Sequence, residues 1–166
     1  MNTVIRDACT KDVAALTELY NQYILKTTIT FDLTPYTVEQ RKESWFDYYS
    51  SSGRYRLLVA EQEGAVLGYA SSSQFRKKAA YDTSVETSIY LRDEAKNQGL
   101  GSELYRKLFE ELRAEDVHRA YAGITLPNDA SIAIHEKFGF EKVGLFREVG
   151  RKFGRYWDVA WMEKAL

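Results

Sequence analysis

The chain has 166 residues, 45% hydrophobic and 28% charged, which fits one globular domain over residues 1–166. Twenty-three basic residues meet 24 acidic ones for a net charge of −1, so no global positive field points to nucleic acid and no acidic excess to a disordered tail. The one cysteine, Cys9, excludes an internal disulfide framework, and with only two histidines, His118 and His135, no Cys/His metal site is expected.

Residues 3–8 read as a first strand. Thr10 is placed to cap a helix running to about Lys26, with Asp12 in its first turn and Val13, Leu16, Leu19, Tyr20, Tyr23 and Ile24 as its apolar stripe. Cys9, beside the first strand, reads as a small core residue. Thr37-Val-Glu-Gln40 is a capping-box pattern that opens a second helix to about Ser50, carrying Val38, Trp45, Phe46 and Tyr49. Residues 56–61 and 65–73 form a hairpin around Glu63-Gly64, and residues 83–91 a third strand. A long helix over 100–115 presents Leu104, Leu108 and Leu112 on one face. A strand at 119–125 follows, then a short helix from Asn128 or Asp129 that stops at Gly139. Strands at 141–152 and 156–164 close the chain around Gly154. The order predicts a mixed, mostly antiparallel α/β (α+β) sheet flanked by helices on both faces. No apolar leader-type run opens the chain and no stretch of about 18 apolar residues occurs, so a cytoplasmic protein with no membrane partner is expected.

The chemistry concentrates after the third strand. Gly99 and Gly101, two apart at the start of a helix, let backbone N–H groups converge on a phosphate or pyrophosphate, with Lys96 adding a full charge. No Gly-Lys-Ser/Thr follows, so this is not a P-loop, and the third glycine of a dinucleotide fingerprint is missing.

Lys96-Asn97-Gln98-Gly99-Leu100-Gly101 resembles the acetyl-CoA pyrophosphate loop of the GCN5-related N-acetyltransferases, and Asn128 through Gly139-Phe140 resembles the helix that follows it. The element order agrees over the whole chain, which implies an acyl-CoA N-acyltransferase fold. A narrower resemblance lies in Phe31-Asp32, Glu86, His135-Glu and the segment from Val149 to Asp158: these are similar to the phosphinothricin and methionine sulfoximine acetyltransferase branch. Lys96 stands where Arg or Gln is usual, and Arg155-Tyr-Trp157 shifts a tryptophan by one place.

The resemblance implies acetyl-CoA as co-substrate, no metal, and a small amino acid or analogue acetylated at its α-amino group. Glu86 is then the general base, against the plain reading of an outward strand carboxylate. His135 is either an acid for the leaving thiolate or a structural histidine. Ile89, Tyr90 and Leu91 offer backbone groups to the pantetheine like an added strand. Lys96 to Ser102 hold the phosphates. Asn128 and Ser131 either touch the cofactor arm or simply cap their helix. The basic loop Phe75-Arg76-Lys77-Lys78 is either a solvated face or, through Arg76, a fork for a substrate carboxylate, with Thr87 and Ser88 lining the same pocket. Phe31 and residues 152–157 close it, from this subunit or a neighbour. The aromatic-rich C-terminal hairpin and the resemblance imply a homodimer. The alternatives are acetylation of protein N-termini or polyamines, or a non-catalytic acyl-CoA-binding module; a polyamine pocket should be lined by carboxylates, which the basic loop is not.

Overall fold

The computed structural model describes residues 3–166. Its elements are β1 (Val4–Asp7), α1 (Val13–Lys26), α2 (Val38–Ser44), β2 (Leu57–Gln62), β3 (Ala65–Gln74), β4 (Ser84–Leu91), α3 (Leu100–Leu112), β5 (Arg119–Thr125), α4 (Asp129–Lys137), β6 (Glu141–Lys152) and β7 (Arg155–Ala165). The strands form one sheet in the order β1-β2-β3-β4-β5-β7-β6. Every neighbouring pair is antiparallel except β4–β5.

Both faces of the sheet are covered, which is why Leu57-Leu58-Val59-Ala60 is apolar without alternation. Leu57 and Val59 pack with Leu16, Leu19 and Tyr23 of α1. Leu58 and Ala60 face the other way, onto Leu104, Leu108 and Leu112 of α3. The buried Arg56 pairs with Asp7 and Glu111, joining the β1 edge of the sheet to α3. Glu63 (φ 52°) and Gly64 (φ 83°) both adopt the left-handed conformation that a two-residue hairpin turn requires.

Three helix boundaries differ from the sequence reading, the simplest being that of α3, which ends at Leu112 and not at 115. The first helix opens with a 3-10 turn over Thr10–Asp12 whose N-cap is Cys9, not Thr10. The Asp12 carboxylate accepts the Cys9 N–H at 2.8 Å and pairs with Arg6, so the cap comes from an acid three residues on. Cys9 is exposed and does not belong to the core. The capping box is present, with Gln40 N–H donating to Thr37 Oγ1 and Thr37 N–H to Gln40 Oε1. However, α2 ends at Ser44, and a 3-10 turn over Phe46–Tyr48 follows. The break at Trp45 (φ −142°) lets its ring pack edge-on against both Tyr49 and Tyr69. Val38 stays exposed.

The feature that positions the site is the short pairing of β4 with β5. The parallel register runs Ser84↔Arg119, Val85↔Ala120, Glu86↔Tyr121 and stops. Both strands continue, to Leu91 and Thr125, without pairing to each other.

Candidate active site

Successive strand residues direct their backbone groups to opposite edges. The Arg92 N–H donates to Leu67 O beside β3, whereas Thr83 O accepts from His118 N on the β5 side. Odd-numbered residues of β4 therefore face β5. Beyond Glu86 this leaves the N–H and C=O of Ile89 and Leu91 turned into an open cleft. The backbone of Tyr90 faces β3, and its ring stacks on Tyr69 in the α1-side core, so Tyr90 offers the cleft nothing.

The loop after β4 prepares a second set of donors. Asn97 (φ 60°) and Gly99 (φ 83°) are left-handed, and Gly99 caps α3 with open space where a side chain would stand. The first helical bond runs from Glu103 N–H to Gly99 O, so the N–H groups of Leu100, Gly101 and Ser102 have no partner within the helix. Gly101 is buried, and a Cβ there would meet Ile134 at 3.1 Å and Ile89 at 3.3 Å, so its smallness sets how closely α3 approaches β4 and α4. The Leu100 side chain belongs to the core, and Gln98 bends back to donate to Glu94 O; neither side chain reaches the cleft.

These edges bound a cavity of about 510 Å³. Tyr23, Ile29, Ile89, Leu91, Lys96, Asn97, Gly99, Gly101, Ser102, Asn128 and Ser131 line it, with Ala130, Ala133, Ile134 and Lys137 from α4. Asn128 is the α4 N-cap, its Oδ1 accepting from Ser131 N at 3.1 Å, and it also faces the cavity, so both readings of that residue hold. Lys137 is a second cation that the sequence reading missed; it donates to Ser102 Oγ at 2.9 Å. Its signal was present, because positions 130, 133, 134 and 137 fall on one helical face. Lys96 is anchored by Asp93 at 2.6 Å; burial disfavours its charge, but that hydrogen bond holds its pKa above the ordinary value.

His135 is on the far side of α4. It is 3% exposed and packs edge-on against Phe140 and Tyr105. Its Nδ1 lies 2.6 Å from Ser131 O, which only accepts, so Nδ1 carries the proton and Nε2 accepts from Tyr105 Oη at 2.9 Å. With both nitrogens engaged in the core, His135 ties α4 to α3 and does not face the cavity.

The even-numbered face of β4 carries Glu86. Its carboxyl is half-buried and has no protein hydrogen-bond partner among the described residues. Burial raises its pKa, opposed by the Arg76 charge. Arg76 is exposed, yet its guanidinium sits 4.3 Å over the Phe75 ring, which stacks 4.3 Å from Tyr121. Phe75 is thus a platform for Arg76. Lys77 and Lys78 are exposed and make no ion pair or side-chain hydrogen bond among the described residues, so the structure does not bring them to the site. Thr87 points to the opposite face, buried and in reach of Tyr121 O; Ser88 shares the Glu86 face. The Phe31 ring lies on Gly150 of the same chain, and the Lys152 ammonium donates to Thr30 O at 2.8 Å, so the Phe31 loop and the C-terminal hairpin pack together within one chain. Trp157 donates to Lys152 O at 2.9 Å and closes its own hairpin.

A family model described as an acetyltransferase (GNAT) domain matches residues 5–161. A phosphinothricin N-acetyltransferase of Streptomyces coelicolor is 52% identical over 164 residues, covering 98% of this chain and 95% of that protein. An L-methionine sulfoximine/L-methionine sulfone acetyltransferase of Pseudomonas aeruginosa is 37% identical, covering 100% of this chain and 96% of its own length. The crystal structure of a GNAT phosphinothricin acetyltransferase from Sinorhizobium meliloti in complex with acetyl-CoA superposes with a TM-score of 0.92 at 35% identity, covering 100% of this chain and 89% of that one.

The position of His135 generates a test. Burial lowers its pKa below 6.5, partly offset by the Ser131 carbonyl. The unfolded chain then binds a proton that the fold refuses, so this stability is complete above about pH 6.5 and drains as pH falls. In urea titrations, His135→Gln should be less stable at pH 7 by about 1–3 kcal/mol and lose part of the slope below pH 6.5, while turnover stays within about threefold. Equal slopes with a large fall in turnover would contradict the structural role.

Proposed function

This chain belongs to the GNAT family of acetyltransferases, and from that premise we propose that it moves the acetyl group of acetyl-CoA directly to the α-amino group of a small amino acid or analogue of the phosphinothricin or methionine sulfoximine kind. The observation that carries the reading is a juxtaposition: the cleft edge of β4 ends at Glu86, and the Glu86 carboxylate stands within electrostatic reach of Arg76. The whole of residues 1–166 serves as one catalytic domain in this account.

The residues present fit the co-substrate. Lys96, Lys137 and the free N–H groups at the start of α3 suit a pyrophosphate, and the Ile89 and Leu91 backbone suits the amides of a pantetheine arm. Acetyl-CoA supplies an activated acyl group as a thioester. An arm lying along β4 reaches the fork where β4 and β5 part, at Glu86.

Only a neutral amine attacks, so the substrate ammonium must give up a proton. Glu86 is the base, because burial makes its carboxylate a better acceptor and no donor among the described residues holds it. The first proton rests on Glu86; as the N–C bond forms and the C–S bond breaks, the nitrogen sheds its second proton to the departing sulfur, and CoA leaves as the thiol. No acyl-enzyme is involved: the one cysteine, Cys9, lies in a separate recess with Asp7, Thr10 and Phe46.

Arg76 reads the other end of the substrate. An amino acid carries both a cation and a carboxylate, and Glu86 within electrostatic reach of Arg76 offers the two complementary charges. The stack of Tyr121, Phe75 and Arg76 pre-orients the fork despite its exposure. A polyamine would meet a guanidinium where it needs a carboxylate. Two further elements belong to the proposal. The β6 edge leaves Val143, Phe146 and Val149 exposed, which supports a homodimer through this hairpin. An exposed free thiol suits a reducing compartment, the cytoplasm.

Glu86→Gln should lower kcat by about 10²–10⁴-fold and abolish the acid limb of the pH–rate profile, with acetyl-CoA affinity unchanged in calorimetry. That limb in the wild type should lie above the ordinary carboxylate range, because the carboxylate form is reached only there. Near-normal turnover across the profile removes Glu86 from the chemistry. Arg76→Ala should raise KM for the amino acid by about 10- to 150-fold, and barely alter turnover of the matching amine that lacks the carboxylate. A wild type that prefers the decarboxylated amine would contradict the amino-acid reading.

A further inference from the structure

Tyr23 belongs to the apolar stripe of α1, and its ring packs edge-on against Tyr90 at 5.0 Å in the core. Its hydroxyl finds its partners on the backbone at the end of β4. It donates to Leu91 O at 2.6 Å and receives the Leu91 N–H at 3.3 Å. These are the two groups at the end of β4 that face the cleft. The next peptide N–H, of Arg92, is held on the opposite side by Leu67 O at 2.8 Å. The peptide between Leu91 and Arg92 is therefore fixed at both ends, at the point where the strand edge gives way to the phosphate-type loop. The loop is also tied to the same residue, since the Lys96 ammonium lies 5.1 Å from the Tyr23 ring centre. Tyr23 itself lines the cavity.

We propose that Tyr23 is a positioning residue for the acyl-CoA, setting the register between the strand edge that takes its amide arm and the loop that takes its phosphates. This inference rests on the acetyl-CoA reading of the cleft. The strong bond goes to the Leu91 carbonyl and occupies the hydroxyl proton, while the Leu91 N–H makes only the long contact. One lone pair of the carbonyl is thereby taken, which weakens it as an acceptor for the ligand, and the N–H stays available to an incoming ligand carbonyl. Ile89 keeps both groups open. The edge thus presents two donors, one fully open acceptor and one half-occupied acceptor, in place of two equivalent pairs, and reads the direction in which the amide arm lies.

Tyr23→Phe keeps the ring and its packing and removes only the hydroxyl. In isothermal calorimetry the variant should bind acetyl-CoA and CoA about three- to tenfold more weakly than wild type. Its affinity for adenosine 3′,5′-bisphosphate, which carries no amide arm, should be unchanged. In steady-state kinetics KM for acetyl-CoA should rise while KM for the amino acid stays constant. Unchanged acetyl-CoA affinity would reduce Tyr23 to a core residue and overturn the proposal. Tighter binding would overturn it too, by showing that the hydroxyl competes with the ligand. Equal weakening of the bisphosphate would mean a general collapse of the cavity and likewise contradict the register role. A wild type that binds no acetyl-CoA would overturn the reading of the cleft itself, whereas wild-type binding indifferent to the hydroxyl overturns only the role of Tyr23.

Discussion

A backbone N–H or C=O that leaves a sheet must find another partner. In this protein β4 leaves its parallel neighbour after the Glu86↔Tyr121 pair, and most of the site follows from where those freed groups go. At Leu91 a tyrosine hydroxyl from α1 takes the carbonyl and makes only a long contact with the N–H; at Ile89 both groups face the cleft. The separation makes room for Ile134, Lys137 and the rest of the α4 face, and it places a glutamate at the closed end of the fork. Had the parallel ladder continued to Leu91, the sheet would have gained hydrogen bonds and lost its cavity.

The second wall of the cleft depends on a small buried polar chain. Tyr105 of α3, buried completely, donates to His135 of α4, and His135 donates back to Ser131 at the start of its own helix. A buried donor or acceptor left without a partner costs about 1–3 kcal/mol, so these links restrict how α4 can shift against α3. Gly101 sets the closeness of the same contact from the α3 side. The spacing between the phosphate-type loop and α4 is thus fixed by side chains that never meet a ligand.

Local patterns were legible in the sequence, and three-dimensional faces were not. The α1 stripe, the Thr37–Gln40 box and the Glu63–Gly64 hairpin are short-range, and each forms as read. The Gly99 turn and the basic Arg76 loop were also visible as chemistry. The errors come from orientation. Thr87 and Tyr90 lie one residue from useful positions, and a period of two sends each to the wrong edge or face. For His135 an acid and a structural role were both open; it faces away from the cavity, on the side of α4 opposite the stripe of Ala130, Ala133, Ile134 and Lys137. Tyr23 was read as core because it is core; its hydroxyl acquires a second role only when β4 arrives from 68 residues away.

The open edge of β4 is the claim on which the rest stands, and amide hydrogen exchange at Ile89 tests it most directly. In the free protein the Ile89 N–H should exchange much faster than that of Val85, which lies within the paired part of the strand. Saturating acetyl-CoA should then slow Ile89 selectively. A slow Ile89 amide in the free protein, or one that acetyl-CoA leaves unchanged, would contradict the account.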